Sequence, residues 1–146
     1  MKAQYIGDLN EWMDGFLFET EVKVRFSETD MYGHLNNTVP FVYFEQARIE
    51  YLKSLGVFDS EKAKTSILVV ADLQCDFLKQ VFFDETLRIR VKTASVGTSS
   101  MDLHYLALNE KDEPVFVGRG TLVLLNAKTG KGQPLSEKEK QVLLGK

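Results

Sequence analysis

The sequence predicts an α+β fold in which an antiparallel sheet curls around one long helix. Three observations lead there. Segments of period-two alternation recur along the chain, each bounded by turn residues, as expected of half-buried strands joined by hairpins. One long segment, residues 39–55, carries helical start and stop signals and apolar side chains on nearly all its sides. A helix of that kind needs a surface that wraps it, and three tight connections between the later strands favour antiparallel neighbours.

Residues 1–17 read as a polar lead-in dotted with aromatics, with a short helix expected around Leu9–Met13. Residues 18–146 read as a single domain. In "ETEVKVRF" (19–26), Val22, Val24 and Phe26 share one face, with Lys23 and Arg25 on the other, which predicts a strand. The helix follows at residues 39–55. Asn37 or Thr38 can cap it, and Pro40 sits in the first turn, where its missing N–H costs nothing. Gly56 stands where a left-handed residue ends a helix. Phe41, Phe44, Ile49, Leu52 and Leu55 spread around it, so deep burial is expected, and Glu45 and Arg48 are spaced to pair.

A linker at about Phe58–Lys64 leads into the later strands. "ADLQCDF" (71–77) sets Ala71, Leu73, Cys75 and Phe77 against Asp72, Gln74 and Asp76. "TLRIRVK" (86–92) sets Leu87, Ile89 and Val91 against Arg88, Arg90 and Lys92. "SVGTSSMDLHYLAL" (95–108) holds a hairpin turn near Gly97, and "EKDEP" (110–114) holds another before a strand over Val115–Leu125. The tail predicts a short amphipathic helix capped by Ser136. No internal repeat or low-complexity run interrupts this order.

Composition narrows the class. A chain of 146 residues is most simply one domain, and 44% hydrophobic with 27% charged residues is the balance of a soluble globular protein. A net charge of −3 provides no basic footprint, so nucleic acid is not an expected partner. The single cysteine excludes an intrachain disulfide and points to a reducing, cytoplasmic setting. No apolar run reaches the ~20 residues that a membrane-spanning helix needs. The first residues are too acidic and too weakly apolar for a secretory signal. The two histidines, His34 and His104, lack ligand-like neighbours, so neither a metal nor another cofactor is expected.

The order strand, helix, four strands, together with Asp30-x-x-Gly33-x-x-x-Asn37 ahead of an aromatic helix, resembles the hot-dog fold. More narrowly, it resembles the 4-hydroxybenzoyl-CoA thioesterase family of acyl-CoA thioesterases. The resemblance rests on "VKVRFSETD", on "YFEQAR" with "YLKSLG", and on "FLKQVFFDETLRI", whose turn carries the acid Asp84. It covers about Phe18 to Leu125. It implies that Asp30 is the catalytic carboxylate and that Asn37 presents a backbone N–H to the thioester carbonyl. "DMYGHLNN" is also similar to the motif of acyl-acyl-carrier-protein thioesterases, which implies a catalytic role for His34. That motif has Asn two residues after the Asp, where this chain has Tyr32. The resemblance further implies an acyl-CoA substrate, with an acyl-carrier-protein thioester as the variant, and a homodimer or homotetramer.

The residue types suit this chemistry. Thioester hydrolysis needs a nucleophile or base and donors for the oxyanion on the carbonyl, and a helix N-terminus offers unpaired N–H groups. Asp30 can attack the carbonyl or activate water. Gly33 lets the loop backbone approach closely, and His34 can orient the carboxylate or donate to the substrate. Thr38 adds a helix-end amide, and Tyr32, Phe41 and Tyr43 can line an acyl channel. Turn and cap roles serve the same polar residues equally well. Within the ordered pattern Asp30 falls to catalysis, while His34 and Asn37 stay between the two roles.

Elsewhere, Cys75 reads as a small core residue, and His104 is expected to face solvent or an interface. Glu45 and Asp76 are secondary acids, and the basic strand 88–92 suits either the phosphates of coenzyme A or plain solvent. Two other functions remain open: a non-catalytic acyl-CoA-binding module, and a hot-dog hydratase or dehydratase.

Overall fold

The computed structural model describes residues 3–146. The chain forms α1 (Leu9–Asp14), β1 (Phe18–Lys23), α2 (Val39–Leu55), β2 (Ser66–Phe77), β3 (Thr86–Val96), β4 (Ser100–Leu108), β5 (Pro114–Asn126) and α3 (Glu137–Leu143), with single 3-10 turns at Phe26–Glu28 and Lys62–Lys64. The five strands make one curled antiparallel sheet in the order β1-β3-β4-β5-β2, so β1 and β2 are its edges.

The inner face of the sheet is built by alternation. Leu87, Ile89 and Val91 of β3, Met101, Leu103, Tyr105 and Ala107 of β4, and Phe116, Leu122 and Leu124 of β5 meet Tyr43, Phe44, Ala47, Tyr51 and Leu52 of α2. Phe44 is fully buried and stacks on Tyr105 at 4.3 Å between ring centroids. Burying a side chain of this size stabilises the fold by about 1.5–3 kcal/mol. Gly118 makes the stack possible, because a Cβ there would lie 2.4 Å from Phe44 Cε2.

The outer face is covered too. Ala3, Ile6, Trp12 and Phe16 of the lead-in pack on Leu106, Leu108 and Val117. Asp8 caps α1 by accepting from Glu11 N at 3.0 Å. At the other end of the chain, Ser136 and Glu139 form a reciprocal capping box for α3, and Glu139 also meets Lys62 at 3.0 Å. Gly56, at φ 70°, ends α2 in the left-handed conformation.

Several expectations need correction. α2 is not buried on nearly all sides: Val42 and Ile49 are 57% and 47% exposed, because the sheet covers only the face that carries Tyr43, Phe44, Ala47, Tyr51 and Leu52. β1 stops at Lys23 rather than Phe26. Glu28 accepts from Arg25 N at 2.9 Å and closes a 3-10 turn, which leaves Phe26 75% exposed. β2 starts at Ser66, five residues before the alternating run, since the "ILVV" that follows Ser66 is continuously apolar and shows no period of two. Arg48 does reach Glu45, at 3.8 Å, but it is itself buried and its Nη1 finds no acceptor among the described residues. Among the described residues, no helix is long and apolar enough to cross a membrane.

Candidate active site

Residues 28–36 form a small polar hairpin ahead of α2. Thr29 bridges Leu35, Asp30 N donates to His34 O at 2.8 Å, and Asn36 N donates to Glu28 O at 2.8 Å. Its tip needs Gly33, whose φ of 78° lies in the left-handed region that side chains disfavour. Asp30 organises the tip: its Oδ1 accepts from Tyr32 N at 2.9 Å and from His34 N at 3.2 Å, while Oδ2 takes no hydrogen bond from the described residues. One oxygen therefore shapes the turn.

At the helix entrance, Asn36 Oδ1 accepts from both Thr38 N and Thr38 Oγ1 at 3.0 Å. Thr38 stands at the N-cap position, one of the two residues expected there, but its side chain makes no cap bond; Asn36 accepts from its amide. Val39 N donates to Asn36 O at 3.0 Å. The backbone N–H of Asn37 has no partner among the described residues. An unpaired donor at the start of a 17-residue helix sits where the positive end of the helix dipole lies.

Asp30 and Asn37 both line one cavity of about 390 Å³, together with His34, Leu35, residues 77–81 and Phe116. Tyr32, Gly33, Thr38 and Phe41 stand outside that lining. Tyr32 is 75% exposed, and Phe41 packs beside the core, 6.3 Å from the Phe44 ring. The His34 ring meets Phe82 edge-on at 5.0 Å and a β-bridge joins the two residues, which ties the hairpin to the β2–β3 connection. Leu35 N donates to Val81 O at 2.7 Å and adds a second tie.

The wall formed by residues 77–81 was not legible in the sequence. Phe77 ends the alternating strand, and nothing in the run from Leu78 to Val81 marks it as facing a site. Lys79, in this wall, pairs with Glu113 at 2.5 Å. Arg88 and Arg90 of the basic strand both meet Glu19, at 3.5 and 2.9 Å, and Arg88 also pairs with Asp112, so those cations are already partnered.

The remaining candidates lie elsewhere. Cys75 packs against the core, and burial, with Asp76 beside it, pushes its thiol up to about 12. Asp76 accepts from Tyr5 OH at 3.2 Å. His104 is buried beneath α1 rather than facing solvent, because the lead-in folds over the sheet's outer face. Among the described residues, no three His, Cys, Asp or Glu side chains are grouped so that they could hold a metal ion.

The chain is similar to several proteins described as thioesterases. Residues 24–143 match the family model described as the thioesterase-like superfamily. The uncharacterized protein YsmA of Bacillus subtilis is 48% identical over 92% of this chain and 90% of its own length. The chloroplastic acyl-acyl carrier protein thioesterase ATL3 of Arabidopsis thaliana is 29% identical over 75% of this chain, which spans 59% of it. Among solved structures, a thioesterase from Thermus thermophilus complexed with coenzyme A and Zn is 31% identical, with a TM-score of 0.77 over 88% of this chain and 98% of that one.

Proposed function

The chain belongs to the thioesterase-like superfamily, and from that premise we propose that it hydrolyses acyl-CoA thioesters to the free acid and coenzyme A, in the manner of the 4-hydroxybenzoyl-CoA thioesterase family. The observation that carries this reading is the meeting of Asp30 and the unpaired Asn37 N–H at one cavity. The coenzyme A bound to the similar thermophile thioesterase supports the choice of carrier.

In this reading the substrate carbonyl sits near the start of α2 and its oxygen accepts from Asn37 N–H. Negative charge developing on that oxygen is stabilised by a donor already in place. The free oxygen of Asp30 then acts in one of two ways. Attack on the carbonyl carbon forms a mixed anhydride and expels the thiolate of coenzyme A, after which water opens the anhydride. Alternatively, the carboxylate takes a proton from water as that water attacks. His34, which lines the same cavity, orients substrate or carboxylate.

The test is thiol release from a panel of acyl-CoAs by wild type and Asp30→Asn. Loss of turnover in the variant supports the assignment, and equal turnover overturns it. Acyl-CoA binding without thiol release at any chain length identifies a non-catalytic module instead, and enoyl-CoA hydration would identify a hydratase.

His34 at the cavity and the similarity to a plant carrier-protein thioesterase favour a second reading, in which the acyl group arrives on a carrier protein. Comparing one acyl group on both carriers decides between them. The assembly belongs to the proposal as well: a cytoplasmic homodimer or homotetramer. Two sheet edges, with Val42 and Ile49 exposed on α2, support self-association, and light scattering on the eluting protein measures it.

A further inference from the structure

We propose that Glu28 and Tyr43 are a positioning pair that sets the distance between the Asp30 carboxylate and the N-terminus of α2. This rests on the assignment of Asp30 as the acting carboxylate. The hydrogen bonds that Asp30 makes, to Tyr32 N and His34 N, lie wholly inside the hairpin. They shape its tip but do not locate it against the helix that carries the oxyanion donor. Nor do the ties from Leu35 to Val81 and from His34 to Phe82, which run to the β2–β3 connection and not to the helix.

Asn36 ties the hairpin's end to the helix entrance through Thr38 and Val39, and a second link, into the body of the helix, starts from the hairpin's base. The Glu28 carbonyl closes the hairpin by accepting from Asn36 N at 2.8 Å, and Glu28 Oε1 accepts from Tyr43 OH at 2.7 Å and from Arg25 N at 2.9 Å. Tyr43 lies about one turn into α2 and is 5% exposed, its ring packed in the core beneath the sheet. A core-anchored side chain with two rotatable torsions is a stiff strut, and its hydroxyl fixes a carboxylate two residues from Asp30. Burial and the Glu28 carboxylate both push the Tyr43 hydroxyl pKa well up, so it remains a donor at any working pH. Neither residue lines the cavity; both act through Asp30.

Steady-state hydrolysis of an acyl-CoA turned over by wild type tests the pair, using Tyr43→Phe, Glu28→Gln, Glu28→Ala, Asp30→Asn and the Tyr43→Phe/Asp30→Asn double variant. Misplacing a reacting group by about 1 Å costs up to roughly 100-fold, so Tyr43→Phe is expected to lower kcat by roughly 10- to 100-fold. KM should stay within about twofold, because substrate binding is not what the strut provides. Glu28→Gln, which keeps an acceptor for the hydroxyl, should retain more kcat than Glu28→Ala. Tyr43→Phe should cost nothing further once Asp30 is Asn.

Wild-type kcat in Tyr43→Phe, or additive losses in the double variant, would overturn the positioning pair while Asp30 stands. Wild-type kcat in Asp30→Asn instead removes the reading on which the pair rests. Circular dichroism confirms folding, and if Tyr43→Phe does not fold, equal losses in the two Glu28 variants overturn the proposal.

Discussion

The indole Nε1 of Trp12 donates a 2.8 Å hydrogen bond to Nδ1 of His104, tying α1 to the second of the three central strands of the sheet. On its other side, His104 Nε2 meets Asp102 Oδ2 at 3.1 Å. The pair of bonds selects one tautomer: the proton sits on Nε2 and the lone pair on Nδ1 receives the indole. A protonated ring has no lone pair to offer, so charging His104 breaks the tie to α1.

The protein should therefore lose stability on acidification below neutral pH. Burial lowers the His104 pKa from its ordinary 6.5; Asp102 opposes that shift, while Lys92 and Arg119 reinforce it. Tyr5 meets the ring edge-on at 5.1 Å. With the folded pKa depressed, the unfolded chain takes up this proton first, so stability falls as pH drops below about 6.5 until the folded ring itself protonates. Urea unfolding between pH 7.5 and 5 should show that slope, and His104→Gln should flatten it. Trp12→Phe, which leaves Nδ1 unpaired, is expected to cost about 1–3 kcal/mol at pH 7.5.

Gly118→Ala should destabilise by about 1–3 kcal/mol through overpacking. The new Cβ would lie 2.4 Å from Phe44 Cε2 and 2.7 Å from the backbone oxygen of Gln74. Repacking Phe44 relieves the first contact and leaves the second. A lower urea midpoint with an unchanged slope is the expected signature.

Cys75 should be inert and dispensable for turnover. With the thiol pushed up to about 12 by burial, little thiolate exists at pH 8. Ellman's reagent should react slowly with the native protein and quickly once it is unfolded, and Cys75→Ala should keep the wild-type kcat.

At Asn37 the backbone, not the side chain, is expected to matter. Asn37→Ala keeps the N–H and should retain most activity, whereas Asn37→Pro removes it. Losing one oxyanion donor costs roughly 10²–10³-fold in kcat. Thermal melting of both variants checks that the fold survives the substitution.

The sequence alone determined the elements that local rules govern. The α2 boundaries, Gly56 at its end, the hairpin turn near Gly97 and the Ser136 cap all stand as read, because capping and turn chemistry act over a few residues. Asp30, His34 and Asn37 were singled out by the family resemblance, and they line one cavity because they lie close together on one short hairpin and the helix entrance. The tertiary structure decided what depends on which faces meet. It buried His104 under a lead-in that the chain places 92 residues away, left Val42 and Ile49 of α2 uncovered, and brought residues 77–81 to the cavity. Alternation states that a strand has two faces and period 3.6 that a helix has sides. Which face is covered, and by what, follows from long-range packing, where the free energy of burial belongs to pairs of surfaces far apart in the chain.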